Sequence, residues 1–140
     1  MLLVDINVLI DVLEDDPRWD DWSFASCARR RRCMSWRSTR SSMPSCRWLS
    51  PVTKGSNERL DAVIAALGLI LREVPRPALF LAGKSFARYR GAGGSKTGVL
   101  PDFLIGAHAA VEAWPLLTRD AQRYRAYFPS VELVTPEPSP

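Results

Sequence analysis

Long hydrophobic runs are absent from this chain of 140 residues. No apolar run approaches the roughly 20 residues that a helix needs to cross a bilayer. The apolar N-terminus lacks a basic start and is interrupted by Asp5, so it does not match a secretory signal peptide. We therefore expect no membrane association and a cytoplasmic location.

Cysteine is scarce, and the charge is only mildly unbalanced. The three cysteines, Cys27, Cys33 and Cys46, have spacings that match no zinc-binding pattern, and free thiols are the simplest interpretation. The net charge of +4 permits a polyanionic partner but does not by itself indicate one. The hydrophobic share of 46% and the charged share of 24% are typical of one folded domain.

Acidic residues are missing from one internal stretch. Between Phe24 and Trp48 there are seven arginines and no Asp or Glu. Up to about Ser50, the apolar residues also show neither helical nor strand periodicity. This stretch therefore predicts no secondary structure by its pattern.

Elsewhere, apolar residues recur at strand or helix spacing. Short apolar runs predict strands over residues 2–4, 69–74, 116–118 and 131–134. Helices are predicted with Asn7 as a cap, from Pro17, over 57–67 with Gly68 as the stop, over 78–90, from Pro101, and over 121–128. This alternation predicts an α/β fold, a single domain over residues 1–134 with a mainly parallel sheet flanked by helices. Residues 135–140 are expected to be a disordered tail.

The apolar residues of the predicted helix over residues 78–90 predict which face it turns inward. We expect this face to contain Leu79, Phe80, Ala82, Gly83 and Phe86. In the helix that starts at Pro101, Asp102 lies in the first turn, followed by closely packing small and apolar residues. The glycine-rich loop between the two helices lacks the order of a P-loop.

Three aspartates lie where a parallel sheet binds its ligands. Asp5 and Asp120 each follow a predicted strand, and Asp102 opens a predicted helix. Ligands of such sheets bind beyond the C-terminal ends of the strands, so we expect the three carboxylates to converge there. Taken singly, each aspartate also fits a helix cap or a turn; their joint placement favours a site.

Clustered carboxylates require a cation or a proton. Two carboxylates about 4 Å apart repel each other by about 4 kcal/mol at an effective dielectric constant of roughly 20. Hard oxygen ligands suit Mg²⁺ or Mn²⁺, and such an ion can activate a water and stabilise charge on a scissile phosphate. Asn7 and Thr118 are predicted to orient ligands or the attacking water. The sequence therefore predicts a metal site that cuts a nucleic-acid phosphodiester.

Three segments carry a resemblance to a known family. They read VDINVLIDVL (residues 4–13), LPDFLIGAHA (100–109) and LLTRDAQRYRAYFPSVELV (116–134). They resemble PIN-domain ribonucleases, above all the VapC toxins of bacterial toxin–antitoxin pairs. The resemblance covers the first 23 residues and everything from about residue 57 to residue 134.

This resemblance implies a metal-dependent endoribonuclease that cleaves RNA and uses Mg²⁺ or Mn²⁺. Asp5, Asp102 and Asp120 match the family's acidic metal ligands. The resemblance also implies a cognate antitoxin that blocks the site, and a homodimer. Ile6 replaces the small hydroxyl residue often found at this place in the family. His108 is expected to pack within its helix, because six residues separate it from Asp102 and the two do not share a face.

The family pattern includes one further acid, a Glu, on a helix after the second strand. The stretch from Phe24 to Ser50 contains none. We chose codons for this stretch and read them in a shifted frame, starting from the third base of each codon. One allowed choice gives RKLRAQAALHELAINPVIYAELSVAF. The codon of the glutamate in YAEL would then straddle the codons of Pro44 and Ser45. We hypothesise compensating frame changes near Phe24 and between Ser50 and Gly55, which the intact mass of the purified protein tests.

Other interpretations give the arginines or the whole chain a different role. Residues 29–32 can form an RNA-binding arm, since phosphate contact requires only exposed arginine. If the acid is truly missing, the chain is a catalytically impaired PIN module that binds an antitoxin or partner without cleaving RNA. A DNA nuclease of the flap-endonuclease-like group is disfavoured, because the chain lacks room for insertions that grip a duplex.

Overall fold

A computed structural model of the chain describes residues 1–27, 32–36, 57–95 and 101–136, with the backbone alone at 32–36 and 57–58. The described strands are β1 (Leu2–Val4), β2 (Arg32–Trp36), β3 (Ile70–Glu73), β4 (Leu116–Leu117) and β5 (Leu133–Val134). The described helices are α1 (Ile6–Leu13), α2 (Asp20–Cys27), α3 (Asn57–Ala66), α4 (Arg76–Gly91), α5 (Pro101–Glu112) and α6 (Ala121–Tyr127). In these ranges no helix combines the length and apolarity that crossing a membrane requires.

The strands form one parallel sheet in the order β3-β2-β1-β4-β5. β1 lies at its centre and pairs with β4, with Leu3 opposite Leu116 and Val4 opposite Leu117. The predicted α/β fold with a parallel sheet between helices is confirmed. The order also brings the C-terminal ends of the first and fourth strands side by side.

Successive residues of β1 point to opposite faces of the sheet and enter two separate cores. Leu3 packs with Leu116 in the core that includes α4, α5 and α6. Leu2 and Val4 pack with Leu117 in the core that includes α1, α2 and α3. All three β1 residues are buried, as expected for a central parallel strand covered on both faces.

The start of α1 differs from the prediction. The helix begins at Ile6, so Asp5 rather than Asn7 occupies the N-cap position, and Asp5 makes no side-chain capping hydrogen bond. The prediction that Asn7 caps this helix is therefore wrong, because the Asn7 side chain bonds to Thr118, which follows β4. Similarly, α2 starts at Asp20 and not at Pro17.

α4 also turns a different face inward than predicted. Ala78, Ala82 and Ser85 are its buried residues, whereas Leu79 and Phe80 are exposed, Phe80 by 71%. Gly83 is exposed as well, so only the Ala82 and Phe86 part of the prediction holds. Small side chains at helical spacing allow α4 to pack closely on α5, which a ranking by residue size does not reveal.

The remaining boundaries agree closely with the pattern. Gly68 adopts a positive φ of 61° just after α3, the left-handed conformation that ends a helix. The predicted strands after this point are all present, each somewhat shorter than expected. β2 lies inside the stretch that had no periodicity. The end of α2, up to Cys27, lies inside it as well. Residues 28–31, 37–56, 96–100 and 137–140 lie outside the described residues, and the frame-change hypothesis and most of the expected tail fall there.

α5 and α6 approach each other closely at Gly106. A β-carbon added there would overlap the Phe128 ring, whereas one at Gly83 of α4 would meet no atom within 4 Å. Each glycine lies within a helix, where alanine is favoured by up to about 1 kcal/mol. The two glycines therefore differ only in the packing that an added β-carbon would meet.

We expect Gly106→Ala to destabilise the fold by roughly 1–3 kcal/mol through overpacking. Gly83→Ala serves as the matched control and should stabilise it by roughly 0.5–1 kcal/mol. Urea unfolding of both variants measures these differences. A stabilising Gly106→Ala would contradict the close approach of α5 and α6.

Candidate functional site

The candidate site lies where β1 and β4 end. Asp5 follows β1 and is only 2% exposed, and Thr118 follows β4 and is fully buried. The Thr118 Oγ1 hydroxyl donates a hydrogen bond of 2.7 Å to Asp5 Oδ2. Because the two strands are parallel neighbours, their C-terminal ends place these residues together although 113 positions separate them.

The Thr118 hydroxyl also accepts two hydrogen bonds. Asn7 Nδ2 donates to it over 3.2 Å, and the backbone N–H of Asp120 donates over 3.1 Å. A hydroxyl has one proton and two lone pairs, so this group is saturated. Thr118 therefore fixes both Asp5 and Asn7 and the turn that leads into α6.

Two oxygen atoms of this group have no hydrogen-bond partner within the described ranges: Asp5 Oδ1 and Asn7 Oδ1, both buried. Burial raises the pKa of Asp5 to about 6, and the negative charge of Asp102 also raises it. Interactions with the Thr118 hydroxyl, the Tyr124 hydroxyl and the backbone of Ile6 lower it. An ionised carboxylate with an unsatisfied buried oxygen is costly unless it has a partner. A cation held by these oxygens would supply that partner.

Tyr124 of α6 joins the three aspartates electrostatically. It is 1% exposed, and its pKa is raised well above its ordinary value, first by burial and then by the charges of Asp5, Asp102 and Asp120. Its hydroxyl interacts with Asp5 but makes no hydrogen bond of ordinary geometry to any described residue. The sequence analysis missed Tyr124; its position one helical turn after Asp120 was the available signal.

The other two aspartates have partners on α6. Asp102 is half-buried, and its Oδ2 forms an ion pair with Arg123 Nη1. Asp120 caps α6, and its Oδ1 accepts a 3.3 Å hydrogen bond from the backbone N–H of Gln122. Among the described residues, no three Asp, Glu, His or Cys side chains come close enough to hold a metal ion together. The three aspartates therefore surround Tyr124 without forming a compact group.

The chemistry of the available donors nevertheless fits a hard divalent cation. Carboxylate and amide oxygens are the ligands that Mg²⁺ and Mn²⁺ prefer, and two of them are unsatisfied here. Asp102 would have to exchange its Arg123 partner for the ion. The metal-binding role of Asp5, Asp102 and Asp120 stays a prediction.

A second buried carboxylate holds the opposite side of the same turn. Asp11 of α1 is 1% exposed and accepts a 3.0 Å hydrogen bond from Ser23 Oγ. Arg119 Nε lies 3.1 Å from Asp11 Oδ2. The segment from Thr118 to Asp120 is thus tied to Asp5 by its first residue and to Asp11 by its second.

His108 lies away from this site. It is 1% exposed, its ring centroid lies 5.6 Å from that of Trp114, and burial lowers its pKa. This agrees with the expectation that it packs within α5. His108 is therefore not part of the candidate site.

Comparisons with known proteins reveal the fold alone. No protein-family model matches the chain, and no curated protein matches it. The solved structure of VapBC2 from Rickettsia felis, bound to a DNA fragment from its promoter, matches with a TM-score of 0.63 and 15% identity, over 96% of this chain and 97% of the other. DNA-bound VapBC from Salmonella typhimurium matches with a TM-score of 0.62 and 18% identity, over 96% of each chain.

A third similar structure is FitAcB from Neisseria gonorrhoeae. Its TM-score is 0.59 at 17% identity, over 95% of this chain and 96% of the other. The likeness to all three covers at least 95% of each chain, and the described part of this chain has their fold. Identities of 15–18% leave the chemistry to be argued from this chain's own residues.

The raised pKa of Asp5 predicts a specific pH dependence. An ordinary Asp has a pKa near about 3.9, so the folded state holds the Asp5 proton more tightly than the unfolded state. Asp5 therefore lowers the free energy of unfolding as pH rises; this loss is absent below about pH 4 and complete above about pH 7. Asn does not titrate, so the stability of Asp5→Asn relative to wild type should rise by about 2–3 kcal/mol between pH 4 and pH 8.

Urea unfolding in EDTA at several pH values measures this difference. The control is Asp15→Asn, at a side chain that is 78% exposed; it reports the effect of removing a carboxylate at the surface. A difference between Asp5→Asn and wild type that stays constant from pH 4 to pH 8 would contradict the buried, proton-binding Asp5.

Proposed function

We propose that this chain is a metal-dependent endoribonuclease of the PIN type, the toxin component of a toxin–antitoxin system. The observation that carries the proposal is the pair of buried, unsatisfied oxygens on Asp5 and Asn7 at the C-terminal edge of a parallel sheet. The fold shared with chains of VapBC and FitAcB structures supports it. Asp5, Asp102 and Asp120 are the proposed ligands of Mg²⁺ or Mn²⁺.

The residues of the site each have a separate part in this mechanism. Thr118 holds one Asp5 oxygen, so the other keeps a fixed direction. The Asn7 amide nitrogen is bound to Thr118 as well, which fixes the amide and leaves its oxygen as an acceptor. When bound, a divalent ion would lower the pKa of a water and stabilise charge on the scissile phosphate.

Tyr124 can donate a proton to a hydrogen bond but cannot act as a base. Its pKa lies well above its ordinary value, so the phenol stays protonated at physiological pH. Tyr124 therefore strengthens the electrostatics around the Asp5 carboxylate and leaves proton abstraction to other groups.

Arg123 is the internal counter-ion of Asp102 in this structure. A guanidinium is suited to both carboxylates and phosphates. Once an ion takes its place beside Asp102, Arg123 is free to bind a phosphate of the RNA. The same side chain would then neutralise the site before catalysis and hold the substrate during it.

A second candidate function is a PIN module that binds its antitoxin without cleaving RNA. Asp102 and Asp120 already have partners, and in the parts of the chain that are described no three acidic side chains form a metal-holding group. The further acid of the family pattern is not among these residues. Metal binding without turnover would favour this alternative.

The partners and location follow from the same proposal. RNA is the proposed substrate, and the motifs around Asp5, Asp102 and Asp120 carry that choice. A cognate antitoxin, a homodimer and a cytoplasmic location are further parts of the proposal. The matched structures support a protein partner, since each combines components of a VapBC or FitAcB complex.

Cleavage of RNA in Mg²⁺ or Mn²⁺ tests the enzymatic proposal. Asp5→Ala should reduce the cleavage rate by roughly 100-fold or more, because it removes the central metal ligand. Asp15→Asn, at an exposed carboxylate that pairs with the exposed Arg59 and has a positive φ of 51° that asparagine tolerates, is the control and should retain full activity. Equal cleavage by Asp5→Ala and wild type would reject the nuclease.

The ion pair between Arg123 and Asp102 predicts competition with metal. Arg123→Ala should bind Mn²⁺ roughly fivefold more tightly than wild type, since a partly exposed pair contributes about 1 kcal/mol. The control is Arg125→Ala on the same helix. Because the Arg125 side chain is exposed, this substitution should leave the affinity for Mn²⁺ unchanged. Isothermal titration with Mn²⁺ measures both affinities, and weaker binding by Arg123→Ala would contradict competition at Asp102.

A further inference from the structure

We propose that a pocket between α4 and α6 binds one unpaired nucleotide of a single-stranded RNA beside the candidate site. The pocket has a volume of about 310 Å³. Its described lining consists of Tyr89, Asp120, Gln122, Arg123, Ala126 and Tyr127. This inference rests on the proposed function, because it concerns how the RNA substrate is held.

The size and position of the pocket limit its occupant. Its volume lies at the lower end of the roughly 300–1,000 Å³ typical of small-ligand pockets, which suits a nucleotide and is too small to enclose a whole helix or strand of a protein partner. Asp120 belongs both to this lining and to the turn organised by Thr118. An occupant therefore lies next to the group formed by Asp5, Asn7 and Thr118.

Two tyrosines give the pocket an aromatic wall that the core holds in place. Their ring centroids lie 6.3 Å apart at 71°, and both rings contact buried Phe103, at 5.1 Å for Tyr127 and 5.7 Å for Tyr89. Tyr89 already stacks on Phe86, so Tyr127 is the better surface for a base. Fixed aromatic rings are the usual stacking surfaces for unpaired bases.

The polar groups around the pocket match the remaining parts of a nucleotide. Arg123 lies in its lining, and the Arg88 guanidinium lies over the Tyr127 ring, 5.8 Å from its centroid. A base that stacks on that face of Tyr127 would displace Arg88 from it. Two guanidinium groups can contact a phosphate, and the exposed Gln122 amide can bond to a base edge. A purely apolar ligand would leave these groups unsatisfied, and an anion without a base would meet the carboxylate of Asp120.

The occupant must be an unpaired nucleotide. In a duplex the bases are stacked and paired, so their faces cannot reach an aromatic ring in a protein pocket. A single strand can place one base against Tyr127 without this cost. The pocket therefore selects single-stranded RNA close to the proposed point of cleavage.

Filling the pocket tests the proposal without removing a contact of the core. Ala126 lines the pocket and is exposed on α6, whereas Ala87 is exposed on α4 and is not in the lining. Leucine is tolerated well in helices, so Ala126→Leu and Ala87→Leu form a matched pair. Fluorescence anisotropy with a labelled single-stranded RNA, in EDTA and in Ca²⁺, measures binding by the full chain.

Ala126→Leu should weaken this binding by roughly tenfold, the effect of losing one stacked base, while Ala87→Leu binds like wild type. Binding of a duplex RNA should be the same for both variants. Excess free mononucleotide should compete only weakly if the pocket serves an RNA strand; strong competition at equal concentration would identify a free nucleotide as the ligand and overturn the assignment to RNA.

Photocrosslinking with an RNA that contains 5-iodouridine gives an independent measurement. The crosslinked peptide identified by mass spectrometry should contain Tyr127. Equal RNA affinity of the two leucine variants, crosslinks confined to other peptides, or no binding of single-stranded RNA by wild type in either buffer would overturn the proposal.

The outcome is separable from that of the proposed nuclease. If cleavage depends on Asp5 but Ala126→Leu binds RNA normally, the nuclease stands and the pocket proposal fails. If Ala126→Leu loses RNA binding and Asp5→Ala cleaves RNA as well as wild type, the pocket stands and the nuclease fails.

Discussion

The hydrogen bond from Thr118 Oγ1 to Asp5 Oδ2 joins the C-terminal ends of the two central strands. The same hydroxyl accepts the Asn7 amide and the backbone N–H of Asp120, so its single proton and both lone pairs are used. The rest of the candidate site depends on this saturation. It orients Asp5, withdraws Asn7 from helix capping and sets the start of α6.

Two buried carboxylates on either side of the same turn differ in how well their oxygens are hydrogen-bonded. Asp11 is held by Ser23 and Arg119, and neither of its oxygens is among the buried unsatisfied atoms of the described chain. One Asp5 oxygen makes no hydrogen bond of ordinary geometry to a described residue, and the pKa of Asp5 is raised to about 6. A satisfied buried carboxylate ties elements together, whereas an oxygen that no hydrogen bond satisfies stays available as an acceptor.

One short helix carries most of the remaining chemistry. α6 spans only Ala121–Tyr127, yet it is capped by Asp120, pairs Arg123 with Asp102 and buries Tyr124 against Asp5. Its outer face adds Gln122 and Ala126 to the pocket that ends at Tyr127. Because these residues lie within eight consecutive positions, 120–127, a change in the placement of α6 would affect the proposed metal site and the proposed RNA pocket together.

Periodicity and capping are local properties, so they predict the α/β class, most helices and strands, and the placement of Asp5 and Asp120 after strands. Which side chains meet depends on tertiary packing. Asn7 bonds to Thr118 across 111 positions, small residues rather than Leu79 and Phe80 form the inner face of α4, and Arg123 and Tyr124 enter the site. These contacts depend on strand order and helix docking, which local patterns do not encode.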